Sequence, residues 1–129
     1  MDALDALLGA ELKIEKDVPI KRLNTHFRIK AIDGETLNKL REQSTHYVGK
    51  GANRKSQFND NEFNGALIAT ACISPDFSNA KLLEKYGAAD AGECVQKALL
   101  AGEIMSLQEE VLRLSGFDDG EEQYEEIKN

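Results

Sequence analysis

The last third of the sequence constrains the fold most, because a helix, a stop signal and a run of acids follow one another there. Four apolar side chains recur at spacings of three and four residues, which places them on one face of a helix: Ile104, Leu107, Val111 and Leu114. The helix spans residues 102–115. Gly116 can adopt the left-handed conformation that ends a helix, and Phe117 can fold back on its last turn. The apolar face is either core, the commoner case, or a surface that binds a partner.

Carboxylates dominate the segment that follows. Six acids fall within nine residues: Asp118, Asp119, Glu121, Glu122, Glu125 and Glu126. They repel one another and offer too little apolar surface to offset ordering entropy, so we expect residues 118–129 to be a flexible acidic tail on a single domain of residues 1–117. The tail is either a solubilising terminus or a partner-binding segment. In the second case we expect Asp118, Asp119, Glu121 and Glu122 to contact the partner.

Three leucines at the other end of the chain form a second candidate surface. Leu4, Leu7 and Leu8 share one side of a short amphipathic turn, which Gly9 weakens. Residues 1–11 are therefore either a loose docking arm or a frayed terminus. Together with the apolar face of the last helix, Phe117 and the acidic tail, these leucines are the predicted partner-binding residues.

The rest of the pattern predicts an α+β fold that is mostly helical. Strict alternation over residues 22–31 indicates a half-buried strand, and residues 12–18 are a plausible hairpin partner for it. Spacing and capping residues indicate short helices at residues 35–44, 59–71, 79–86 and 90–99, followed by the terminal helix beyond Gly102. The predicted total is four or five helices. The helix that begins near Asn59 is expected to be the most buried. Residues 46–60 are expected to be a mobile basic loop.

Length and charge exclude several classes of protein. A chain of 129 residues supports one core of ordinary size. Its net charge of −7 argues against general attraction to nucleic acid or to an anionic membrane. No apolar stretch approaches the roughly 20 residues that span a bilayer, and the first residues lack a cationic signal, so we expect a cytosolic protein.

Catalytic and metal-binding patterns are absent from the sequence. Neither His26 nor His46 has another ligand at metal spacing, and Gly49-Lys50-Gly51 lacks the spacing of a phosphate-binding loop. Cys72 and Cys94 fall within apolar helical patterns and are expected to be buried free thiols. We therefore expect a protein that is not an enzyme, with no catalytic residue, cofactor or metal.

Positive charge is concentrated in the first half of the chain, between residues 13 and 55. This asymmetry indicates a polar protein partner or self-contact. A nucleic-acid groove that uses Lys21, Arg22, Arg28, Lys30 and the basic residues of the 46–60 loop is the weaker interpretation, because aromatic residues do not interleave with the charges.

Five blocks of sequence add a family resemblance. They are EKDVPIKRLN at residues 15–24, FRIKA at 27–31, LLEKYG at 82–87, CVQKALL with GEI at 94–104, and LSGFD at 114–118. In this order, over about residues 12–120, they resemble the XkdN-like tail assembly chaperones of long-tailed bacteriophages and their prophage remnants. Residues 46–59 carry no part of the resemblance.

The resemblance implies a non-enzymatic protein of the host bacterial cytoplasm that acts during tail morphogenesis and is absent from the finished virion. Such chaperones are thought to coat the tape measure protein until tail tube subunits polymerise around it. In many of these phages a frameshift yields a longer product, which here would diverge after Phe117. The implied partners are therefore the tape measure protein, the tail tube protein and further copies of the chain. The alternatives are a connector subunit that stays in the tail and a small nucleic-acid-binding regulator.

Overall fold

The computed structural model describes residues 2–117, in which an α+β fold with a helical majority confirms the predicted fold class. The six α-helices are α1 (Ala3–Gly9), α2 (Gly34–Gln43), α3 (Asp60–Ala71), α4 (Ala80–Tyr86), α5 (Ala91–Ala98) and α6 (Ala101–Leu112). The five strands are β1 (Glu15–Ile20), β2 (Thr25–Lys30), β3 (Thr45–Val48), β4 (Lys55–Phe58) and β5 (Cys72–Ser74).

The predicted N-terminal hairpin is present and forms part of a three-stranded antiparallel sheet of order β1-β2-β5. Phe27 and Ile29 point into the core from β2, as the alternation predicted. The strand begins at Thr25 rather than at residue 22, because a 3₁₀ turn precedes it and Asn24 closes that turn in the left-handed conformation, at φ 53°. The third strand, β5, was not predicted; it follows α3 directly.

Short polar side chains start the helices at the predicted positions. The carboxylate or amide oxygens of Asp33, Asn59, Asn79 and Asp90 each accept a hydrogen bond from a backbone N–H in the first turn, at 2.8 to 2.9 Å. These bonds satisfy donors that a helix leaves unpaired at its N-terminus. Helices α2, α3, α4 and α5 therefore begin within about one residue of the predicted positions.

Helix α3 lies at the centre of the core, and five of its residues are buried, more than in any other described helix. This confirms the expectation that it is the most buried helix. It packs against α5 most closely where two glycines meet, since a Cβ atom on Gly65 would lie 2.5 Å from the carbonyl oxygen of Gly92. Leu67 and Ile68 of α3 are fully buried in the main cluster.

The terminal helix confirms most of the prediction made for it. Helix α6 begins at Ala101, so Gly102 lies inside it rather than before it. A π-helical turn at Arg113–Phe117 follows, and Gly116 has the left-handed φ of 102° expected for the stop. The predicted tail at residues 118–129 lies outside the described residues.

The expectation of a mobile basic loop at residues 46–60 is wrong. Strands β3 and β4 pair there as an antiparallel hairpin, with Tyr47 opposite Ser56. A ladder of backbone hydrogen bonds fixes these residues, and the N–H of Asn59 donates to the carbonyl of Ser44 at 2.8 Å to close the base. His46 accordingly lies in strand β3.

The cysteines are free and buried, as predicted. Cys94 lies on α5, but Cys72 opens strand β5 and is not helical. Burial raises the pKa of the Cys72 thiol to about 12 and also raises that of Cys94.

Candidate partner-binding surfaces

Helix α1 exposes the three leucines that the sequence predicted as a docking arm. Leu4, Leu7 and Leu8 are 65, 77 and 76 % exposed, and no residue of the helix is buried. The Asp2 carboxylate caps the helix by accepting from the N–H of Asp5 at 2.9 Å. A seven-residue helix is only marginally stable alone in water, and this one gains nothing from packing. Its apolar face is therefore available to another molecule.

The apolar surface continues from α1 towards the sheet. Leu12 is 70 % exposed and Ile14 is 46 % exposed, and both line a shallow groove of about 430 Å³. Ile32 also lines this groove, together with Leu114 and Gly116 in the turn after α6. The Oγ atom of Ser115 accepts a hydrogen bond from the N–H of Ile32 at 2.9 Å, which joins the turn after α6 to the segment that follows β2.

The apolar face of the last helix belongs mainly to the core. Leu107 and Val111 are fully buried and Ile104 is 8 % exposed, so a partner cannot reach them in this fold. Leu114 is partly buried against the core, whereas Phe117 is 52 % exposed. The remaining predicted partner-binding residues lie outside the described part of the chain: Asp118, Asp119, Glu121 and Glu122.

Ion pairs occupy two of the four N-terminal cations that were candidates for a nucleic-acid groove. Arg22 binds Glu103 through two hydrogen bonds of 2.9 Å, and this contact raises the pKa of Arg22 and lowers that of Glu103. Arg28 donates to Glu15 and to Asp17 at 2.8 and 2.9 Å. The outer face of the N-terminal hairpin is thus largely neutralised.

The β3–β4 hairpin is the functional candidate that the sequence analysis missed. The guanidinium of Arg54 lies 4.5 Å from the ring centroid of Tyr47, whose side chain is 63 % exposed. Two short runs with an aromatic or β-branched residue flank a glycine-containing turn here, which was the available signal. The long turn, rich in cations, obscures this signal.

Among residues 2–117, no group of three or more His, Cys, Asp and Glu side chains could hold a metal ion. Both histidines instead lie beside carboxylates. His46 Nε2 is 2.6 Å from Glu62 Oε2, and His26 Nε2 is 3.8 Å from Asp17 Oδ2. None of the helices in the same part of the chain is long and apolar enough to cross a membrane.

Comparison with known proteins decides the family. The model of the phage XkdN-like tail assembly chaperones matches residues 4–128. The chain belongs to this family. It is 30 % identical over 106 residues to the phage-like element PBSX protein XkdN of Bacillus subtilis (strain 168), covering 80 % of this chain and 72 % of the relative.

A solved structure shares the fold. The crystal structure of the protein YqbN superposes with a TM-score of 0.64, covering 84 % of this chain and 89 % of the other, at 21 % identity. The family model and the relative from Bacillus subtilis confirm the family resemblance of the five sequence blocks.

Proposed function

We propose that this tail assembly chaperone binds the tape measure protein of its phage or prophage and keeps it soluble while the tail assembles. The observation that carries the proposal is the exposed leucine face of α1, formed by Leu4, Leu7 and Leu8. An amphipathic helix of this kind pairs with a complementary apolar face on a partner. Contiguous exposed apolar patches mark interaction sites in many soluble proteins.

The proposed client surface extends from α1 along the shallow groove. Leu12 and Ile14 add two exposed apolar side chains that line the groove, and the exposed Phe117 follows the groove residue Leu114 by three positions. A long helical client would cover these side chains together, which would offset the entropy of ordering α1. The proposal assigns no catalysis and no cofactor to the chain, and it places the protein in the host cytoplasm and outside the mature virion.

The test is co-expression with the tape measure protein encoded in the same phage or prophage genome. We expect the client to move from the insoluble to the soluble fraction and to co-purify with the chain. Failure of the client to become soluble would reject the proposal for this chain. Recovery of the chain from purified tails would favour the connector interpretation instead.

A frameshift-extended product, if the gene makes one, is compared in the same experiment. If only the longer form kept the client soluble, the main client site would lie in the extension rather than on α1. The tail tube protein is the second partner to be tested, because the resemblance implies that its subunits replace the chaperone on the client.

A further inference from the structure

Uncompensated positive charge is concentrated on the β3–β4 hairpin. Lys50, Arg54 and Lys55 are exposed, and none of them forms a salt bridge with a carboxylate of residues 2–117. Residues 43–59 contain no Asp or Glu at all. Arg22 and Arg28, by contrast, are each bound by acids of their own fold. The hairpin therefore presents three cations without a local counter-charge.

Contacts within the hairpin and at its base hold this cationic surface in a defined conformation. Stacking of the Arg54 guanidinium over the Tyr47 ring holds the charge beside an exposed aromatic face. The base is fixed to two helices, because the Thr45 hydroxyl donates to the carbonyl of Arg41 at 2.8 Å and His46 contacts Glu62 at 2.6 Å. An anionic segment would thus meet a surface that is ordered in advance.

We propose that the acidic residues 118–129 of the same chain bind the cationic face of the β3–β4 hairpin. These twelve residues carry six carboxylates and one lysine, which complements the three hairpin cations in sign. They also contain Tyr124, an aromatic residue of the kind that packs against exposed side chains such as Tyr47 and Val48. The hairpin and the acidic residues are thus the two halves of one internal contact.

The fold brings the two halves within reach of each other. The described chain ends at Phe117, beside the start of α2, because Ser115 is hydrogen-bonded to Ile32. Helix α2 has ten residues and leads directly into β3, so the hairpin base lies about 15 Å away. The four residues of β3 add about 13 Å. Twelve extended residues span up to about 40 Å, which exceeds the sum of these lengths.

Because the acidic residues are tethered to the same chain, exposed ion pairs alone are strong enough to hold them on the hairpin. Single surface pairs contribute little, roughly 0–1 kcal/mol each. A short linker nevertheless gives the attached segment an effective concentration of the order of millimolar, so several weak pairs can hold it in place. The contact should therefore weaken steeply with salt, and it should not depend on protein concentration.

A nucleic acid is the competing occupant of the same cations. The net charge of −7 opposes its approach, and the acidic residues would compete with its phosphates for the hairpin. The charge balance of the whole chain therefore favours an occupant from within the chain.

The test compares amide resonances of the full chain by two-dimensional NMR in the absence of any client, so its result is independent of the client proposal. One variant replaces the six acids in the full-length chain: D118N, D119N, E121Q, E122Q, E125Q and E126Q. We expect the resonances of residues 47–55 to shift and the core resonances to stay in place. Salt at 1 M, where the Debye length is about 3 Å, should produce the same shifts in the unmodified chain and none in the variant.

The reciprocal variant neutralises the hairpin with K50Q, R54Q and K55Q, and its readout is the resonances of residues 118–129. The matched control removes three cations that are equally exposed and lie elsewhere: K13Q, K21Q and K81Q. We expect the hairpin variant to shift the resonances of the acidic residues and the control to leave them unchanged.

Three results would overturn the proposal. The first is that neither variant moves the resonances of the other half. The second is shifts that disappear on dilution, which would assign the acidic residues to the hairpin of a second copy. The third is that a single-stranded oligonucleotide binds the hairpin of the unmodified chain and of the six-acid variant with the same affinity.

Discussion

Arg22 and Glu103 join the turn between β1 and β2 to the start of α6 through a two-pronged ion pair. Arg22 Nε lies 2.9 Å from Glu103 Oε2, and Arg22 Nη2 lies 2.9 Å from Glu103 Oε1. The same carboxylate accepts from the N–H of Leu100 at 2.8 Å, and the guanidinium also donates to the carbonyl of Ala98. One side-chain pair thus fixes the N-terminal hairpin against the junction of α5 and α6.

This pair predicts a dependence of stability on pH. Hydrogen bonding to Arg22 lowers the pKa of Glu103 in the folded chain below its ordinary value of about 4.3. The carboxylate therefore stabilises the fold above that pH, and the contribution is lost as the pH falls through the lowered pKa. We expect E103Q to lower the midpoint of urea denaturation at pH 7. At pH 3 the midpoint of the variant should approach that of the unmodified chain. Glu42 is exposed, so E42Q serves as the control, and its midpoint at pH 7 should equal that of the unmodified chain within error.

Leucines on α6 and α1 should respond oppositely to the same truncation. Leu107 is fully buried, so L107A should lower the free energy of unfolding by about 2–5 kcal/mol. Leu7 is 77 % exposed, so L7A should change it by less than about 0.5 kcal/mol. Chemical denaturation of both variants measures the difference. Equal losses would contradict the assignment of one leucine to the core and the other to the surface.

Two glycines provide a matched test of the packing of α3 against α5. A Cβ atom at Gly65 would meet the carbonyl oxygen of Gly92, a backbone atom that cannot move aside easily. We expect G65A to destabilise the domain by about 1–3 kcal/mol. No atom lies within 4 Å of a Cβ at Gly102, inside α6, so G102A should stabilise by up to about 1 kcal/mol. Thermal unfolding of the two variants checks both signs.

Thiol reactivity reports on the burial of the cysteines. Cys94 is fully buried, Cys72 is 8 % exposed, and burial raises both pKa values, so little thiolate is present at pH 8. We expect a colorimetric thiol reagent to label the native chain very slowly and to titrate two thiols at once in denaturant. Rapid labelling of the native chain would show that one of these sites opens without global unfolding.

The sequence predicted those parts of the fold that depend on local signals. Capping residues such as Asp33 and Asn59 act within one helical turn, and alternation placed Phe27 on the buried face of β2. Gly116 marked the end of the last helix because few other residues adopt its φ. Each of these inferences needed only neighbouring residues.

The missed elements depend on contacts between distant residues. Strand β5 has three residues, and it is a strand because Cys72 pairs with Ile29 of β2. The β3–β4 hairpin is short and almost wholly exposed, so the sequence lacks an apolar period that would have revealed it. For the same reason the sequence did not decide whether the apolar face of α6 is core or interface. It identified the leucines of α1 as candidates but did not decide between a docking arm and a frayed terminus.

The most direct test of the central claim is to measure client solubility with two matched double variants. L7S/L8S removes two exposed leucines from α1, and L100S/M105S removes two exposed apolar side chains from the α6 region. Both variants should unfold at nearly the same temperature as the unmodified chain, because none of the four side chains is buried. We predict that the co-expressed tape measure protein stays soluble with L100S/M105S and precipitates with L7S/L8S. Equal solubility with both variants would contradict the assignment of α1 as the client-binding surface.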